Sequence, residues 1–553
     1  MASKQKNKIL EIKNLTIKLP KRADRELAVE NVSLDIFRNE ILCIVGESGS
    51  GKSIMSSAIM RDIPDSLKIS SGEIIFKGKD ILKMTTKEIN SLRGDKISMI
   101  GQEPMAALNP SIKVGRQVDE VFELHQSNLN SKQRKLETLK LFEQMGLPKP
   151  ERIYNSYPHQ ISGGQSQRVV IAMALACKPD ILIADEPTTA LDVTTQAEIL
   201  KLFNDLRNLY DNAVIFITHD FGVVADIADR VAVMCWGRVV EEGKKNEILM
   251  KPQDPYTKLL VDAMPSLEAL RRPKSKRSQE ALITVANLHK IYGKDDNQVH
   301  AVNDISFALK AGETLGIVGE SGSGKSTLAK SIIRLVEPSS GAVTLNEKDF
   351  LNLTGNELVK ARKNIQMVFQ DPFGSLNPSQ TVEYMITRGM MLQGIDRSTA
   401  RQKTLELLEK VGLSSAALKR KPRNFSGGQR QRIGIARALS LGPDVIIADE
   451  SVSALDLSVQ KQVLILLNQL QKQFKMAIIF ITHDLRVAAQ VSDYIAVMEH
   501  GKVVEMGKVF EVFNDPKNNY TKKLLDSAPG KNWHPPRLKA SEAKEIARLV
   551  SRE

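Results

Sequence analysis

Short, nearly unbroken apolar runs punctuate an otherwise mixed chain. Ile41–Val45, Ile181–Ala184 and Val214–Ile217 in the first half, and Thr314–Val318, Val445–Ala448 and Ile478–Ile481 in the second, are rich in Ile and Val and lack polar alternation. Such runs predict strands covered on both faces, as in a parallel sheet. Helical periodicities separate them, Lys132–Met145 and Ala400–Val411 among them, so the chain reads as α/β with a largely parallel sheet. Between Gln102 and Ser162, and again between Gln370 and Ser426, the pattern turns helical, which predicts a helical subdomain inserted in each half. Pro265–Gln279 is polar, basic and broken by Pro273, and reads as a linker. The expected division is a first domain over 1–264, a basic linker over 265–280, a second domain over 281–527 and a tail over 528–553. In that tail Pro529, Pro535 and Pro536 precede a short helix expected around Ser541–Val550.

With 553 residues, 42% of them hydrophobic and 26% charged, the chain is long enough for two large cores. Its longest apolar run, Val169–Cys177, is far below the ~18 residues of a membrane span. The start, MASKQKNK, has positive charge but no apolar stretch of the kind a signal peptide needs. Cys43, Cys177 and Cys235 lack C-x-x-C spacing, so the expectation is three buried small side chains in a reducing cytoplasm, neither disulfide nor metal ligands. The net charge of +13 raises the question of nucleic acid. Basic clusters are confined to the N-terminal tail and Arg271–Arg277, with no aromatic platform between the charges, so a solvated linker is the better reading and no nucleic acid is expected as partner.

Chemistry enters through a constellation that occurs twice. GESGSGKS (Gly46–Ser53), ISGGQ (Ile161–Gln165), ILIADE (Ile181–Glu186) and ITHD (Ile217–Asp220) return in order as GESGSGKS, FSGGQ, VIIADE and ITHD. Lys325 follows Lys52 by 273 residues, whereas Ser426, Asp449 and His483 follow Ser162, Asp185 and His219 by 264, so only the stretch between the first two motifs has changed length. A duplicated nucleotide-hydrolysing module explains this. In the phosphate loops, Gly46, Gly49 and Gly51, like Gly319, Gly322 and Gly324, let backbone N–H groups close around anionic oxygens. Glu47, Ser48 and Ser50, like Glu320, Ser321 and Ser323, complete the loops. Lys52 and Lys325 reach the β- and γ-phosphates; Ser53 and Ser326, the latter followed by Thr327, offer hydroxyls to Mg²⁺. Asp185 and Asp449 end apolar strands, where a carboxylate can enter the Mg²⁺ shell, and Glu186 and Glu450 beside them can polarise the attacking water. His219 and His483 end strands and can bond the γ-phosphate. Ser162, Gly163, Gly164 and Gln165, and Ser426, Gly427, Gly428 and Gln429, each open an Ala- and Ile-rich helix. Taken alone such a segment is a helix cap, although its N-terminus can also receive an anion.

With these residues in hand, the chain resembles a tandem ATP-binding subunit of the ABC transporter superfamily over nearly all its length except the linker and final tail. ISGGQ and FSGGQ resemble the family signature, Asp192 in TALD and Asp456 in SALD its D-loop, and Gln102 and Gln370 its Q-loop glutamine, a further Mg²⁺ ligand. The resemblance implies a head-to-tail pairing of the two domains. Lys52 and Glu186 would share one ATP with Ser426 and Gly428, and Lys325 and Glu450 another with Ser162 and Gly164. QEPMAALNP (Gln102–Pro110) and QDPFGSLNP (Gln370–Pro378), with DPYTKLL (Asp254–Leu260) and NNYTKKLL (Asn518–Leu525), resemble the oligopeptide, dipeptide and nickel uptake branch. Asn519 stands where that branch has proline. Fused versions serve dipeptide, microcin-type peptide or glutathione import, so peptide import is the expectation. It implies two separate membrane permease subunits, an extracytoplasmic substrate-binding protein, and a peripheral place on the cytoplasmic face of the cell membrane. A soluble double-ABC ATPase of ribosomes is the alternative, which the short linker and the ALD of both D-loops disfavour; a nickel or other non-peptide importer is another. DNA-repair ATPases need zinc-cysteine insertions that three scattered cysteines do not supply. Gly101 stands where Phe369 stands in the second half, and Ser451 replaces Pro187, yet no catalytic group is lost. Leu19 sits where Tyr292 offers adenine an aromatic face, which predicts a weaker first site unless a neighbouring residue covers the base.

Overall fold

The computed structural model describes residues 7–21, 23, 25–189, 191–269, 280–294, 298–371, 374–453, 455–539, 541–543 and 545–546. The Arg271–Arg277 cluster, the N-terminal basic residues 1–6, most of the expected linker and the end of the expected 541–550 helix lie outside them. The chain forms two units: Met1–Met264 together with Pro529–Glu553, and Pro265–Ala528.

In the first unit, the described residues form a six-stranded sheet whose centre is the Ile41–Val45 strand. Ala213–Thr218 and Arg230–Cys235 flank it in parallel, Ile181–Asp185 and Ile97–Ile100 continue one side, and Arg238–Lys244 closes the other antiparallel. Every residue of ILCIV, ILIAD and AVIFIT is buried, the consequence of covering both faces of a parallel strand. The second unit repeats the order with Thr314–Val318 at the centre, flanked by Ala477–Ile481 and Tyr494–Glu499.

Each unit also carries an antiparallel sheet that the apolar runs do not announce. Lys8–Lys18 lies between Leu27–Phe37 and Lys68–Phe76, and Ala281–Tyr292 lies between Val299–Lys310 and Ser340–Leu345. These strands mix buried and solvated positions, and repeated register shifts break their alternation, so no continuous apolar signal survives.

The inserted segments are helical. In the first unit Val114–His125, Ser131–Gln144 and Pro150–Asn155 pack around Asp119, which is buried and accepts from Thr138 Oγ1 at 2.7 Å and Tyr154 Oη at 2.6 Å. Burial, with that carboxylate beside it, pushes the Tyr154 phenol up to about 12. The second unit places Val382–Leu392 and Arg397–Lys410 there, with Thr387 instead of an acid, its hydroxyl donating to Glu383 O at 2.8 Å. All three cysteines are buried and outside any disulfide, and burial raises the Cys43 and Cys177 thiols. No helix among the described residues is long and apolar enough to cross a membrane.

The tail from Pro529 belongs to the first unit. Gly530 N donates to Asp226 Oδ2 at 3.0 Å, the Trp533 ring stacks 6.4 Å from that of Phe221, and Arg537 Nη1 donates to Asp262 O and Met264 O at 2.8 and 2.7 Å. Gly530, at φ 67°, lies so close to the helix Phe221–Ile227 that an added Cβ would stand 2.7 Å from Gly222 Cα.

Candidate active site

Each phosphate loop leaves the central parallel strand and closes into a helix, Lys52–Ile59 or Lys325–Ile332. Its glycines answer two different demands. A Cβ on Gly46 would come within 2.2 Å of Met234 O and one on Gly51 within 2.5 Å of Ala28 O; at Gly319 and Gly324 the distances to Met498 O and Ala301 O are 2.2 and 2.0 Å. Gly49 and Gly322 face open space and are needed for φ values of 79° and 80°. The lysine ammonium groups lie within the loops. Lys52 Nζ donates to Gly46 O and Glu47 O at 2.8 Å and to Ser50 Oγ at 3.3 Å. Lys325 Nζ repeats this on Gly319 O and Glu320 O at 2.7 Å and Ser323 Oγ at 3.3 Å.

Opposite each loop a carboxylate gathers residues from distant parts of the sequence. Glu186 accepts from Gln102 Nε2 at 3.2 Å and Thr189 Oγ1 at 2.9 Å, with His219 Nδ1 3.3 Å away. Glu450 accepts from Gln370 Nε2 at 2.6 Å, and His483 Nδ1 is 3.5 Å away. Both glutamates hold the left-handed backbone, φ 48° and 43°, which costs an ordinary residue roughly 1–3 kcal/mol and collects at functional sites. Burial favours the neutral acid, but hydrogen bonding and attraction to His219 bring Glu186 down to about 2. Glu450 is lowered by His483 against the same burial. Burial likewise works against charged imidazoles, and the paired carboxylates nevertheless raise both histidines.

The preceding aspartates behave oppositely. Burial raises Asp185 and Asp449, which Ser53 and Ser326 only partly counter; Ser326 Oγ donates to Asp449 Oδ1 at 3.2 Å. Asp185 Oδ1 is buried without a hydrogen-bond partner. A hard divalent cation satisfies such an oxygen, so the residues present fit Mg²⁺.

The signature segments are helix starts. Ser162 and Ser426 cap Gly163–Leu175 and Gly427–Leu439, each hydroxyl accepting from Gln165 N or Gln429 N at 3.3 Å while the glutamine oxygen accepts from the serine N–H at 3.1 Å. Ser162, Gly163 and Ser426 are exposed, whereas a Cβ on Gly164 or Gly428 would stand 2.7 Å from Thr195 Cγ2 or 2.2 Å from Val459 Cγ1. Asp192 caps Val193–Tyr210, accepting from Thr195 N at 2.9 Å, and Asp456 holds the equivalent place before Leu457–Phe474. Ser48 and Ser321 are exposed on the loops, and in the helices that follow Ser53 is exposed and Thr327 half-buried. Tyr292 ends its strand 43% exposed with Lys290 Nζ 5.0 Å from its ring, while Leu19 is half-buried against the first core.

Two functional residues were legible only as family marks. Tyr256 Oη accepts from Glu47 N at 3.2 Å and Tyr520 Oη from Glu320 N at 3.1 Å, so the tyrosine of each P-Y-T-like element supports its phosphate loop. The available signal is its return in both halves while its neighbour changes from Pro255 to Asn519.

The ABC transporter family matches residues 29–189 and 302–453, and the oligopeptide/dipeptide transporter C-terminal region matches 240–294 and 504–548, which contain both tyrosines. The glutathione import ATP-binding protein GsiA of Pectobacterium atrosepticum is 41% identical over 94% of this chain and 90% of its own length. Its namesake in Salmonella choleraesuis is 43% identical over 94% and 89%. The peptidoglycan transport ATP-binding protein YejF of Agrobacterium fabrum is 42% identical over 94% and 96%. With two phosphate loops, each faced by a complete Asp-Glu-His-Gln set, the chain belongs to the ABC transporter family as a tandem ATP-hydrolysing subunit of the oligopeptide/dipeptide branch.

Proposed function

We propose that this chain energises import of small peptides, glutathione-type peptides included, through two separate permease subunits at the inner face of the cell membrane, fed by an extracytoplasmic binding protein. The observation that carries the reading is the oligopeptide/dipeptide C-terminal region in both halves, attached to two sites with no catalytic group missing. The relatives' printed substrates, glutathione and peptidoglycan, share peptide bonds and a free carboxylate.

In each site the loop N–H groups and Lys52 or Lys325 bind the ATP phosphates, while Ser53, Asp185 and Gln102, or Ser326, Asp449 and Gln370, hold Mg²⁺. The cation neutralises phosphate charge when bound. Glu186 and Glu450, each held in the ionised form by hydrogen bonding and attraction to its neighbouring histidine, orient and polarise the attacking water. His219 and His483 present their remaining ring nitrogen to the γ-phosphate. Tyr292 stacks on adenine in the second site. The family resemblance implies that the halves pair head to tail, each signature helix, with Ser162, Gly163, Gly164 and Gln165 or Ser426, Gly427, Gly428 and Gln429, completing the other half's ATP site beside Asp192 or Asp456. ATP then joins the halves and hydrolysis releases them.

The test is purification from the native membrane in mild detergent, identification of co-purifying subunits, and reconstitution into vesicles with the captured binding protein. Glutathione or a dipeptide is expected to stimulate ATP turnover and enter the vesicles. Stimulation by nickel alone, or co-purification with ribosomes in place of permeases, overturns the proposal.

A further inference from the structure

The hairpin joining Arg230–Cys235 to Arg238–Lys244 turns on Trp236 and Gly237, with φ of 48° and 87°. Two-residue hairpins favour such angles, but Asn or Asp before the glycine supplies them at far lower steric cost than an indole. The turn is fastened to the first phosphate loop: Gly237 N donates to Ser50 O at 3.0 Å, and Glu30 N donates to Gly237 O at 2.8 Å. Nevertheless Trp236 is 59% exposed, so burial does not offset its backbone strain. Arg25 braces the ring, its guanidinium carbon 5.4 Å from the indole centroid while Nη2 donates to Gly49 O of the same loop. A large aromatic face is thereby held at the lip of the phosphate loop, backed by a cation that the loop itself positions.

The second unit builds the same turn from other side chains. His500 and Gly501 have φ of 46° and 80°, and Gly501 N donates to Ser323 O at 3.0 Å. Gln298 occupies the register of Arg25, since Ala28 and Ala301 contact corresponding glycines of the two loops. The aromatic inventory is thus exchanged between two places. The first unit has Leu19 at the strand end and Trp236 at the turn; the second has Tyr292 at the strand end and His500 at the turn.

We infer that Trp236, braced by Arg25, is the base-stacking surface of the first ATP site and replaces the aromatic that Leu19 does not supply. The inference rests on the ATP-site reading above and adds to it the residue that receives the base. It removes the reason to expect a weaker first site, because the indole offers a larger π-face than the missing tyrosine. Arg25 on the opposite face fixes the ring and leaves one side for a purine. The two sites then recognise the same nucleotide with different surfaces.

The chain has two tryptophans, so in Trp533→Phe the fluorescence of the full-length protein reports Trp236 alone. Titration with Mg-ATP is expected to quench that emission, whereas Mg-tripolyphosphate, which occupies the phosphate loop without a base, leaves it unchanged. Photolabelling with 8-azido-ATP, followed by peptide mapping, separates the two halves. Trp236→Ala is expected to weaken labelling of the first half about tenfold in apparent affinity and leave the second unchanged. Trp236→Tyr restores it, and Leu19→Tyr added to Trp236→Ala restores it in part. Equal quenching by both ligands, no quenching by ATP, or an unchanged first-half affinity in Trp236→Ala overturns the inference. A first half that takes no label in the unmodified chain overturns the ATP-site reading and this inference together.

Discussion

At Glu186 and Glu450 the chain accepts an unfavourable backbone conformation twice, in both cases immediately after a fully buried strand ends. Replacing either with Gln preserves shape and removes the negative oxygen that the histidine, glutamine and water address. The double variant Glu186→Gln, Glu450→Gln is expected to retain Mg-ATP on a filter while its turnover falls at least about 100-fold. Turnover near that of the unmodified chain removes these residues from the mechanism. Their identities were legible because a motif and its repeat fix spacing, and spacing survives without a structure. Their left-handed backbone was not legible, nor was the convergence of Gln102 and His219 on one carboxylate, since each comes from a different strand end. Tyr256 illustrates the same limit: nothing local to a tyrosine in a helix's first turn announces an amide 209 residues away.

Among the elements, those covered on both faces were the readable ones, because burial on two sides leaves an uninterrupted apolar run. The antiparallel strands escaped notice for the opposite reason, as in KILEIKNLTIK, where exposed Lys13 and Asn14 interrupt the buried positions. The inserted helices were legible as a class, but their polar centre was not. Asp119→Ala strands two buried hydroxyls and is expected to cost about 3 kcal/mol, whereas Thr387→Ala at the matching place costs about 1 kcal/mol. Hydrogen exchange over Val114–His125 and Val382–Leu392 measures both, and equal losses would refute the asymmetry. The segment from Gln102 to Pro110 joins these helices to the site and carries the short helix Pro104–Ala107. Glu103→Lys there is expected to leave ATP turnover within about twofold and reduce uptake into reconstituted vesicles about tenfold. Normal uptake would assign coupling to another surface.

On the scale of the whole chain, the first unit consists of two pieces, one before and one after the second unit. The sequence offered no sign of this, because Pro529–Lys539 docks as a turn followed by irregular, proline-containing backbone, without any periodicity to betray a buried face. Ending the chain after Ala528 removes the Trp533 ring from Phe221 and the Arg537 guanidinium from two carbonyls. The melting temperature of the first unit is expected to fall by roughly 5 °C, with faster hydrogen exchange over Phe221–Ile227, the helix directly after His219 and Asp220. Unaltered exchange there would make the docked tail energetically idle. During synthesis the order of events follows from the same contact, since Gly530 meets Asp226 across 304 residues. A ribosome adding about 5–20 residues per second needs on the order of tens of seconds to supply the missing piece after the first unit has emerged. Throughout that interval the nascent first half carries an open apolar patch at Phe221, which is sealed only once the stretch from Pro529 has been made.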